Sequence, residues 1–320
     1  QLANFVEQIE KTSSRLSITN LLAELFKKLN KEEIGKTVYL LQGRLAPLYN
    51  TIEFGMAEKM IGRSVVAALD IDKKTFGRQF KKIGDLGKAT EYFKKQKRAL
   101  EEEDLSILQV YDRLYKLATA AKKGSQDVKV QILANLVSQL DPLSCRYLVR
   151  IPIGILRLGF SDMTVLDAYS WMIKGDKSLR SVIERAYHVR PDLGQIGYIL
   201  KKEGTSGLKK IKPAIFNPIL MMRAERLSSG QEIIEKIGRC AVEYKYDGFR
   251  LQVHYKKFQT PTSKIQKNSK SKIPNHKPNK IQVRLYSRNL EDVSFMYPDV
   301  IEGVKKEIKA DEIIFEGEAI

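Results

Sequence analysis

The fold of this chain is decided by the stretch Phe249-Arg-Leu-Gln-Val-His-Tyr255, in which apolar and polar side chains alternate. A period of two is typical of a half-buried β-strand, because successive side chains of a strand point to opposite faces of the sheet. The same alternation at Ile281–Leu285 predicts a second strand, and Ile313–Phe315 predicts a short buried one. The last third of the chain is therefore predicted to be rich in β-structure.

The residues before this stretch show the period of an α-helix instead. Apolar side chains fall on one face at helical spacing in Leu21–Leu29, Ile107–Ala118 and Ile132–Leu140. Asn30, followed three residues later by Glu33, is typical of a helix start because each residue can cap the backbone of the other. The long first part of the chain is therefore predicted to be all-α.

A change of composition around Pro213 and Pro218 marks a linker. We predict an all-α domain at 1–212 and an α+β domain at 213–320. The second domain contains the segment 256–280, which holds eight lysines, no acidic residue and three of the ten prolines. This composition predicts a flexible basic insertion, either simply solvated or acting as an arm that grips DNA non-specifically. Since the chain ends within a strand-like run, we expect the second domain to be incomplete.

Two segments of the helical region resemble each other. Phe54–Gly87 has 34 residues, Phe160–Gly194 has 35, and both end in Asp-Leu-Gly. Two similar helical lobes in one domain are expected from such a repeat. Chance similarity between amphipathic helices is the alternative explanation.

The composition limits the classes of partner and of site. Lys and Arg number 56 and Asp and Glu 38, which gives a net charge of +18 and favours a polyanionic partner, nucleic acid before an anionic membrane surface. Solubility alone is the alternative reason for the charge. Only Cys145 and Cys240 are present, which excludes a disulfide framework and a four-cysteine zinc site. Short apolar runs and the lack of a visible signal peptide predict an intracellular protein with no membrane partner.

The strongest candidate for chemistry is Glu243-Tyr-Lys-Tyr-Asp-Gly-Phe-Arg250. We predict a strand that ends at Lys245, a turn at Asp247-Gly248, and a strand that carries Arg250. A deprotonated lysine amine is a nucleophile, and an arginine supplies planar donors for phosphate or ribose oxygens. A surface lysine beside a hairpin turn is the alternative interpretation.

Three motifs in this chain resemble those of ATP-dependent DNA ligases, in the order of that family. Lys245-Tyr-Asp-Gly-Phe-Arg250 resembles the first motif of nucleotidyltransferases that form a lysyl-AMP or lysyl-GMP. Leu285-Tyr-Ser-Arg-Asn-Leu-Glu-Asp292 and Ile313-Ile-Phe-Glu-Gly-Glu-Ala-Ile320 resemble the next two ligase motifs. The helical part is similar to the DNA-binding domain of archaeal and eukaryotic-type ligases in four short segments, Gly84–Gly87, Gly124–Asp127, Arg157–Gly159 and Asp192–Gly194.

This resemblance implies an all-α DNA-binding domain followed by a nucleotidyltransferase (adenylation) domain, and an enzyme that seals nicks in duplex DNA with ATP and Mg²⁺. It implies that Lys245 attacks the α-phosphate of ATP and holds AMP. Glu243 would lie beside the adenine, and Arg250 and Arg288 would contact ribose or phosphate oxygens. Glu318 would contact ribose or help to place the metal.

Two further sets of positions follow from the same resemblance. Glu316 is a weaker candidate beside Glu318 in the last strand. Phosphate-facing positions of the helical domain are expected at Gly84, Ser125, Arg157 and Gly194.

The chain also departs from the family pattern. The family's later motifs and its C-terminal barrel are absent, so we expect this chain to bind nicked DNA but not to complete ligation alone. A sliding clamp is a possible partner, but the usual aromatic pair near Gln96 is missing. We expect a monomer, located in the cytoplasm of an archaeal-type cell or in a eukaryotic nucleus. The alternatives are a non-catalytic DNA-binding fragment and an mRNA-capping guanylyltransferase. NAD-dependent ligases are disfavoured because they carry a four-cysteine zinc site.

Overall fold

The computed structural model describes residues 1–97, 102–122, 124–156, 158–222, 224–258 and 280–320. This part of the chain forms two compact units. The first unit comprises Gln1–Pro47, Ile52–Tyr187 and Pro191–Ile211, and the second comprises Leu48–Thr51, His188–Arg190 and Lys212–Ile320. The prediction of a helical part followed by a part with a sheet is confirmed.

The described residues of the first unit contain helices and no strand. Its first helices are α1 (Leu2–Glu10), α2 (Arg15–Lys28), α3 (Lys31–Leu41), α4 (Glu58–Leu69), α5 (Lys73–Ile83) and α6 (Leu86–Gln96). They are followed by α7 (Ile107–Thr119), α8 (Ser125–Gln139), α9 (Pro142–Leu148), α10 (Asp162–Lys174), α11 (Arg180–Val189) and α12 (Leu193–Leu208). The last two residues of α11 belong to the second unit. None of these helices combines the length and apolar character that a membrane span needs, within the residues that the structure covers.

Helix starts in this unit are set by side-chain caps. The Asn30 side chain accepts hydrogen bonds from the backbone N–H of Glu32 and Glu33 (2.9 Å each), and the Glu33 carboxylate accepts one from the Asn30 N–H (3.0 Å). The predicted capping box is therefore confirmed. Such caps satisfy N–H groups that have no partner inside the helix.

The helices of the first unit form two halves, α1–α6 and α7–α12, in which each helix of one half has a counterpart at the same place in the other. Helices of one half pack against helices of the other half. Helix α4 of the first half packs against α8 of the second, and α10 of the second packs against α2 of the first. In the same way, α6 packs against α9 and α12 against α3. Corresponding helices of the two halves thus make corresponding contacts, and each of these contacts joins one half to the other.

The repeated Asp-Leu-Gly triplet begins the last helix of each half. Asp85 caps α6 by accepting from the Lys88 N–H (2.8 Å), and Asp192 caps α12 by accepting from the Gln195 N–H (2.9 Å). The glycine that follows allows a close contact between helices. A Cβ on Gly194 would lie 2.4 Å from Cζ of Tyr39, so a larger residue would push the α3 tyrosine away.

Each capping aspartate also receives a side-chain donor from the other half of the repeat. The Tyr39 hydroxyl donates to Asp192 (2.5 Å), and the Arg150 guanidinium donates to Asp85 (2.8 Å). Arg150 is only 2% exposed and also pairs with Glu10 (3.2 Å), so its charge is compensated on both sides. Burial acts to raise the pKa of Glu10, but hydrogen bonds from Tyr147 and Arg150 outweigh it and lower that pKa. These contacts fix how the two halves pack.

The second unit contains a three-stranded antiparallel sheet in the order β2-β1-β3. Its strands are β1 (Phe249–Phe258), β2 (Lys280–Tyr286) and β3 (Glu312–Ala319), and its helices are α13 (Gly230–Ile237), α14 (Pro298–Glu307) and a 3₁₀ turn (Ser294–Met296). One face of the sheet is apolar and packs on α14. The core residues of this face are Leu251, Val253, Tyr255, Val283, Leu285 and Val293.

Three predictions about this unit need correction. The strand predicted to end at Lys245 is not formed, because 241–247 have no regular secondary structure. Strand β3 is longer than predicted, and Ile313–Phe315 is only half-buried because β3 is an edge strand. The basic insertion is shorter than 256–280, because Lys256–Phe258 and Lys280 belong to paired strands. The remainder of it, 259–279, lies outside the described residues.

The substitution Gly194→Ala tests the close contact that α12 makes with Tyr39. It is expected to destabilise the chain by about 1–3 kcal/mol, because the added methyl group overlaps a ring held by its own hydrogen bond. Urea unfolding followed by circular dichroism measures the effect. Gly77→Ala is the matched control: its Cβ meets open space in the middle of α5, so it should stabilise the helix by about 0.5–1 kcal/mol. A Gly194→Ala variant as stable as the wild type would contradict this account.

Candidate functional site

The face of the sheet opposite the apolar core carries polar side chains. Arg250, Gln252 and His254 lie on this face of β1, since they are two residues apart along the strand. On β3, Glu318 is the register partner of Arg250, and Glu316 is the partner of Gln252. Three motif residues are thus gathered on one surface.

The Gln252 amide connects this polar face to the segment that enters the second unit. Its Oε1 accepts from the Ile219 N–H (2.7 Å), and its Nε2 donates to the Ile219 carbonyl (3.1 Å). The same Nε2 donates to the carboxylate of Glu316 (3.0 Å). Gln252 is 7% exposed, so water cannot readily replace these bonds. Glu316 also pairs with Arg250, which leaves its carboxylate held from two sides.

His254, two residues after Gln252 on β1, binds the backbone of the same segment at Phe216. Its Nδ1 accepts from the Phe216 N–H (2.9 Å), so the ring proton resides on Nε2, which donates to the Gln252 Oε1 (3.0 Å). Burial lowers the pKa of His254 to about 4, and the neutral ring is the form these bonds require. The Tyr286 hydroxyl donates to the Phe216 carbonyl (3.0 Å), so both backbone groups of Phe216 are bound. We call Phe216–Ile219 the entry segment.

A small cleft opens between the entry segment and the polar face. Its lining includes two arginines and one carboxylate, Arg250, Arg288 and Glu316, together with Ile219, Gln252, Tyr286 and Ser287. Arg250 is about half exposed, and its planar group can donate to a second acceptor. The cleft has a volume of only about 10 Å³, which is about the space of one water molecule, so what it offers a phosphate or a ribose is the pair of guanidinium groups on its lining.

The structure places the other predicted nucleotide residues outside this cleft. Glu243 and Lys245 lie in the exposed 241–247 segment, and neither lines the cleft. Glu318 is exposed on β3 beside it. Gly248 joins the exposed segment to β1, and a Cβ there would lie 2.3 Å from the Ala319 carbonyl oxygen. The glycine therefore leaves room for β3 to lie beside it. Three residues of chain separate Lys245 from the start of β1.

Gln252 and His254 were not predicted from the sequence. Their signal is present, because they follow Arg250 at spacings of two and four and so share its face. Their partners are not visible in the sequence, since the entry segment precedes them by more than thirty positions.

The carboxylates near the cleft fit one mode of magnesium binding. No cluster of three or more His, Cys, Asp or Glu side chains suitable for a metal is found in the described ranges. Mg²⁺ is commonly held by one or two carboxylates together with phosphate oxygens and water. Glu316 is already bound by Arg250 and Gln252, whereas Glu318 forms no ion pair within the described chain. Glu318 therefore suits this mode better.

The predicted phosphate-facing positions of the helical unit differ in exposure. Ser125 begins α8 after Gly124, whose φ is +84° and which provides no side-chain cap. Gly84 ends α5 with φ +69° and is exposed. Gly194 is buried against Tyr39, and this contact is a sufficient reason for a glycine there. Arg157 lies outside the described residues.

Comparison with known proteins supports a common origin along the whole chain. A family model described as "DNA ligase N terminus" matches residues 1–170. A probable DNA ligase of Dictyoglomus thermophilum is 42% identical over 320 residues, which cover 100% of this chain and 50% of that protein. A DNA ligase of Sulfurisphaera tokodaii is 38% identical over 330 residues, covering 100% of this chain and 51% of that protein. DNA ligase 2 of Thermofilum pendens is 40% identical over 329 residues, which cover 100% of this chain and 51% of that protein. The chain spans about half the length of these curated relatives.

The titration of His254 tests the hydrogen-bond network of the polar face. Its imidazole should titrate by NMR with a midpoint of about 4, because protonation of Nδ1 would break the bond from the Phe216 N–H. The ordinary value is 6.5, so the neutral form favours folding. This contribution is complete above pH 6.5 and is lost as the pH falls towards 4. It amounts to about 3 kcal/mol.

The substitution His254→Asn is the control for this titration. It removes the titrating group but keeps an acceptor for the Phe216 N–H, so the unfolding midpoint in urea should depend less on pH between 7 and 5. A wild-type imidazole that titrates near 6.5 would contradict the network.

Proposed function

The chain belongs to the family described as DNA ligase N terminus, and on this premise we propose that it is part of an ATP-dependent DNA ligase that seals nicks in duplex DNA. The observation that carries the proposal is the cleft in which Arg250, Arg288 and Glu316 meet, immediately after the Lys245 motif. We assign 1–212 to DNA binding and 213–320 to the N-terminal part of the adenylation domain. The predictions of a monomer, of a cytoplasmic or nuclear location and of a possible sliding-clamp partner stay predictions.

The first step assigned to this domain is the adenylation of Lys245. Its Nζ, in the neutral form, attacks the α-phosphorus of ATP; the P–N bond forms as the anhydride bond breaks, and pyrophosphate leaves. Arg250 and Arg288 provide positive charge for ribose or phosphate oxygens, and Glu243 is assigned to the adenine. Phosphoryl transfer requires such positioned cations because charge spreads over the non-bridging oxygens.

A divalent metal would neutralise further phosphate charge when bound. Glu318 is the residue assigned to hold it, because its carboxylate lies on the polar face and is not engaged by Arg250.

The AMP would then pass to a 5′-phosphate at the nick, and the 3′-hydroxyl would displace it to join the strand. Sealing must act on any sequence, so the helical unit needs contacts to the backbone rather than to base edges. Gly84, which is exposed, and Ser125, which is half-buried at the start of α8, are the described positions that we assign to such contacts.

A DNA-binding module without chemistry is the second candidate. The observation that favours it is the position of Lys245, which is exposed and does not line the cleft. In that case the chain would hold DNA through its first unit, and the cleft would have no nucleophile.

The affinity of the chain for nicked duplex DNA tests the assignment of the helical unit. Binding should show little sequence preference and should weaken steeply with salt, because contacts to phosphates release counterions. Fluorescence anisotropy with two duplexes of unrelated sequence, over a range of potassium chloride concentrations, measures both properties. Binding that is independent of salt, or confined to one sequence, would count against a backbone-binding domain.

Transfer of radiolabelled nucleotide to the protein distinguishes the two candidates. The ligase candidate predicts that the chain, extended to the full length of its relatives, takes a covalent label from α-labelled ATP and none from GTP. Lys245→Ala in that longer protein should abolish the label while DNA binding is retained. Lys305→Ala, on the exposed side of α14, is the control and should keep the label. A label that persists in Lys245→Ala would remove Lys245 from its role. No label in the wild type would favour the DNA-binding module, and a label from GTP would favour the capping class.

A further inference from the structure

Helix α5 carries the most concentrated positive charge among the described helices. Its sequence, KKTFGRQFKKI, contains five cationic side chains and no acidic one. All five of these residues are exposed, namely Lys73, Lys74, Arg78, Lys81 and Lys82. A helix face of this kind repels itself unless it meets negative charge.

Most of the positive charge of α5 has no partner in the rest of the described chain. None of the five forms a salt bridge there, and Arg78 donates only to the Thr75 hydroxyl (3.4 Å). The acidic residue nearest in sequence is the N-cap Asp72, whose pKa is lowered chiefly by the hydrogen bond from the Thr75 N–H (2.8 Å), with a smaller contribution from the charge of Arg78. Lysines elsewhere on the helical unit do find partners, as Lys11 does with Glu7 (3.0 Å).

The other side of α5 is occupied by the protein core. Phe76 is buried, and its ring packs against Phe93 of α6 (centroids 5.8 Å apart) and Phe80 (6.3 Å). An amphipathic helix that enters a membrane surface needs a free apolar face. Helix α5 has none to offer, so its basic face is suited to a hydrophilic polyanion.

The internal repeat supplies a comparison within the molecule. Helix α11 occupies the place of α5 in the second half, and its cation Arg180 pairs with Asp167 and with Glu184 (3.3 Å). The first residue of the helix is therefore a paired cation in α11, whereas in α5 it is Lys73, a cation without a salt bridge in the described chain. Arg185, which corresponds to Arg78, is exposed, so α11 has two arginines where α5 has five cationic side chains.

We propose that the basic face of α5 is a docking surface for the phosphate backbone of duplex DNA. The surface ends at Gly84, the exposed residue that caps the helix. This inference rests on the proposed function, because it names an additional contact of the same DNA-binding unit. The surface recognises the charge of the DNA phosphates and not the bases, so α5 contributes affinity without sequence preference.

The test is a variant of the whole chain with Lys73→Gln, Lys74→Gln, Arg78→Gln, Lys81→Gln and Lys82→Gln. Glutamine forms helices well, so α5 should remain folded, which circular dichroism verifies. We expect affinity for nicked duplex DNA to fall at least about tenfold at 0.1 M salt. The slope of log K against log salt should become shallower by about three to four.

A second variant distinguishes the effect of the α5 surface on DNA affinity from the effect of total charge. It replaces five exposed lysines with glutamine, and each of these lysines faces a carboxylate within salt-bridge distance: Lys11, Lys27, Lys31, Lys202 and Lys210. The net charge changes by the same amount, but the effect on affinity and slope should be much smaller. A third variant, with arginine at Lys73, Lys74, Lys81 and Lys82, should bind like the wild type.

Each outcome decides the inference. If the α5 variant binds DNA like the wild type, or if both glutamine variants lose the same affinity, the docking surface is refuted while the proposed function stands. If the wild type does not bind DNA at all, the proposed function fails as well. If α5 is needed for binding to vesicles of phosphatidylserine but not to DNA, the partner is a membrane and the inference is wrong.

Discussion

The polar face of the sheet depends on the hydrogen bonds of one amide side chain, Gln252. Its oxygen accepts hydrogen bonds from the Ile219 N–H and from Nε2 of His254, and its nitrogen donates to the Ile219 carbonyl and to the carboxylate of Glu316. A buried amide with fewer partners would leave donors or acceptors unpaired, which costs about 1–3 kcal/mol for each group. Gln252 therefore fixes three parts of this unit relative to one another: the entry segment, the wall of the cleft and Glu316 of the third motif.

The charges around the cleft follow from this arrangement. Glu316 lies between the Gln252 amide and the Arg250 guanidinium, so it balances one of the two arginines. An incoming phosphate would compete with Glu316 for Arg250 and would find Arg288 on the same lining. Glu318, which is two residues further along β3, keeps its carboxylate accessible. The two glutamates of one motif thus have different roles: Glu316 is structural and Glu318 is available to a ligand.

The sequence predicts local features well and distant contacts poorly. The capping box at Asn30 and the helix starts at the Asp-Leu-Gly triplets depend on neighbouring residues, so their signals are complete in the sequence. The partners of Gln252 and His254 lie in a segment more than thirty positions earlier, and no local pattern reveals them. The strand predicted before Lys245 is absent because an Asp-Gly pair indicates a tight turn but cannot show whether a strand pairs on its other side. A glycine has several possible causes, which is why Gly194 suggested a phosphate contact while the structure shows a packing contact with Tyr39.

The central claim is that the polar face of the sheet is a nucleotide site. The most direct measurement is an NMR titration of the isotope-labelled chain with AMP, observing the Gln252 side-chain amide and the backbone amides of Arg288 and Ile219. The account predicts saturable shifts of these signals and little change on α14, across the sheet. Shifts confined to other parts of the chain, or none at millimolar AMP, would contradict it.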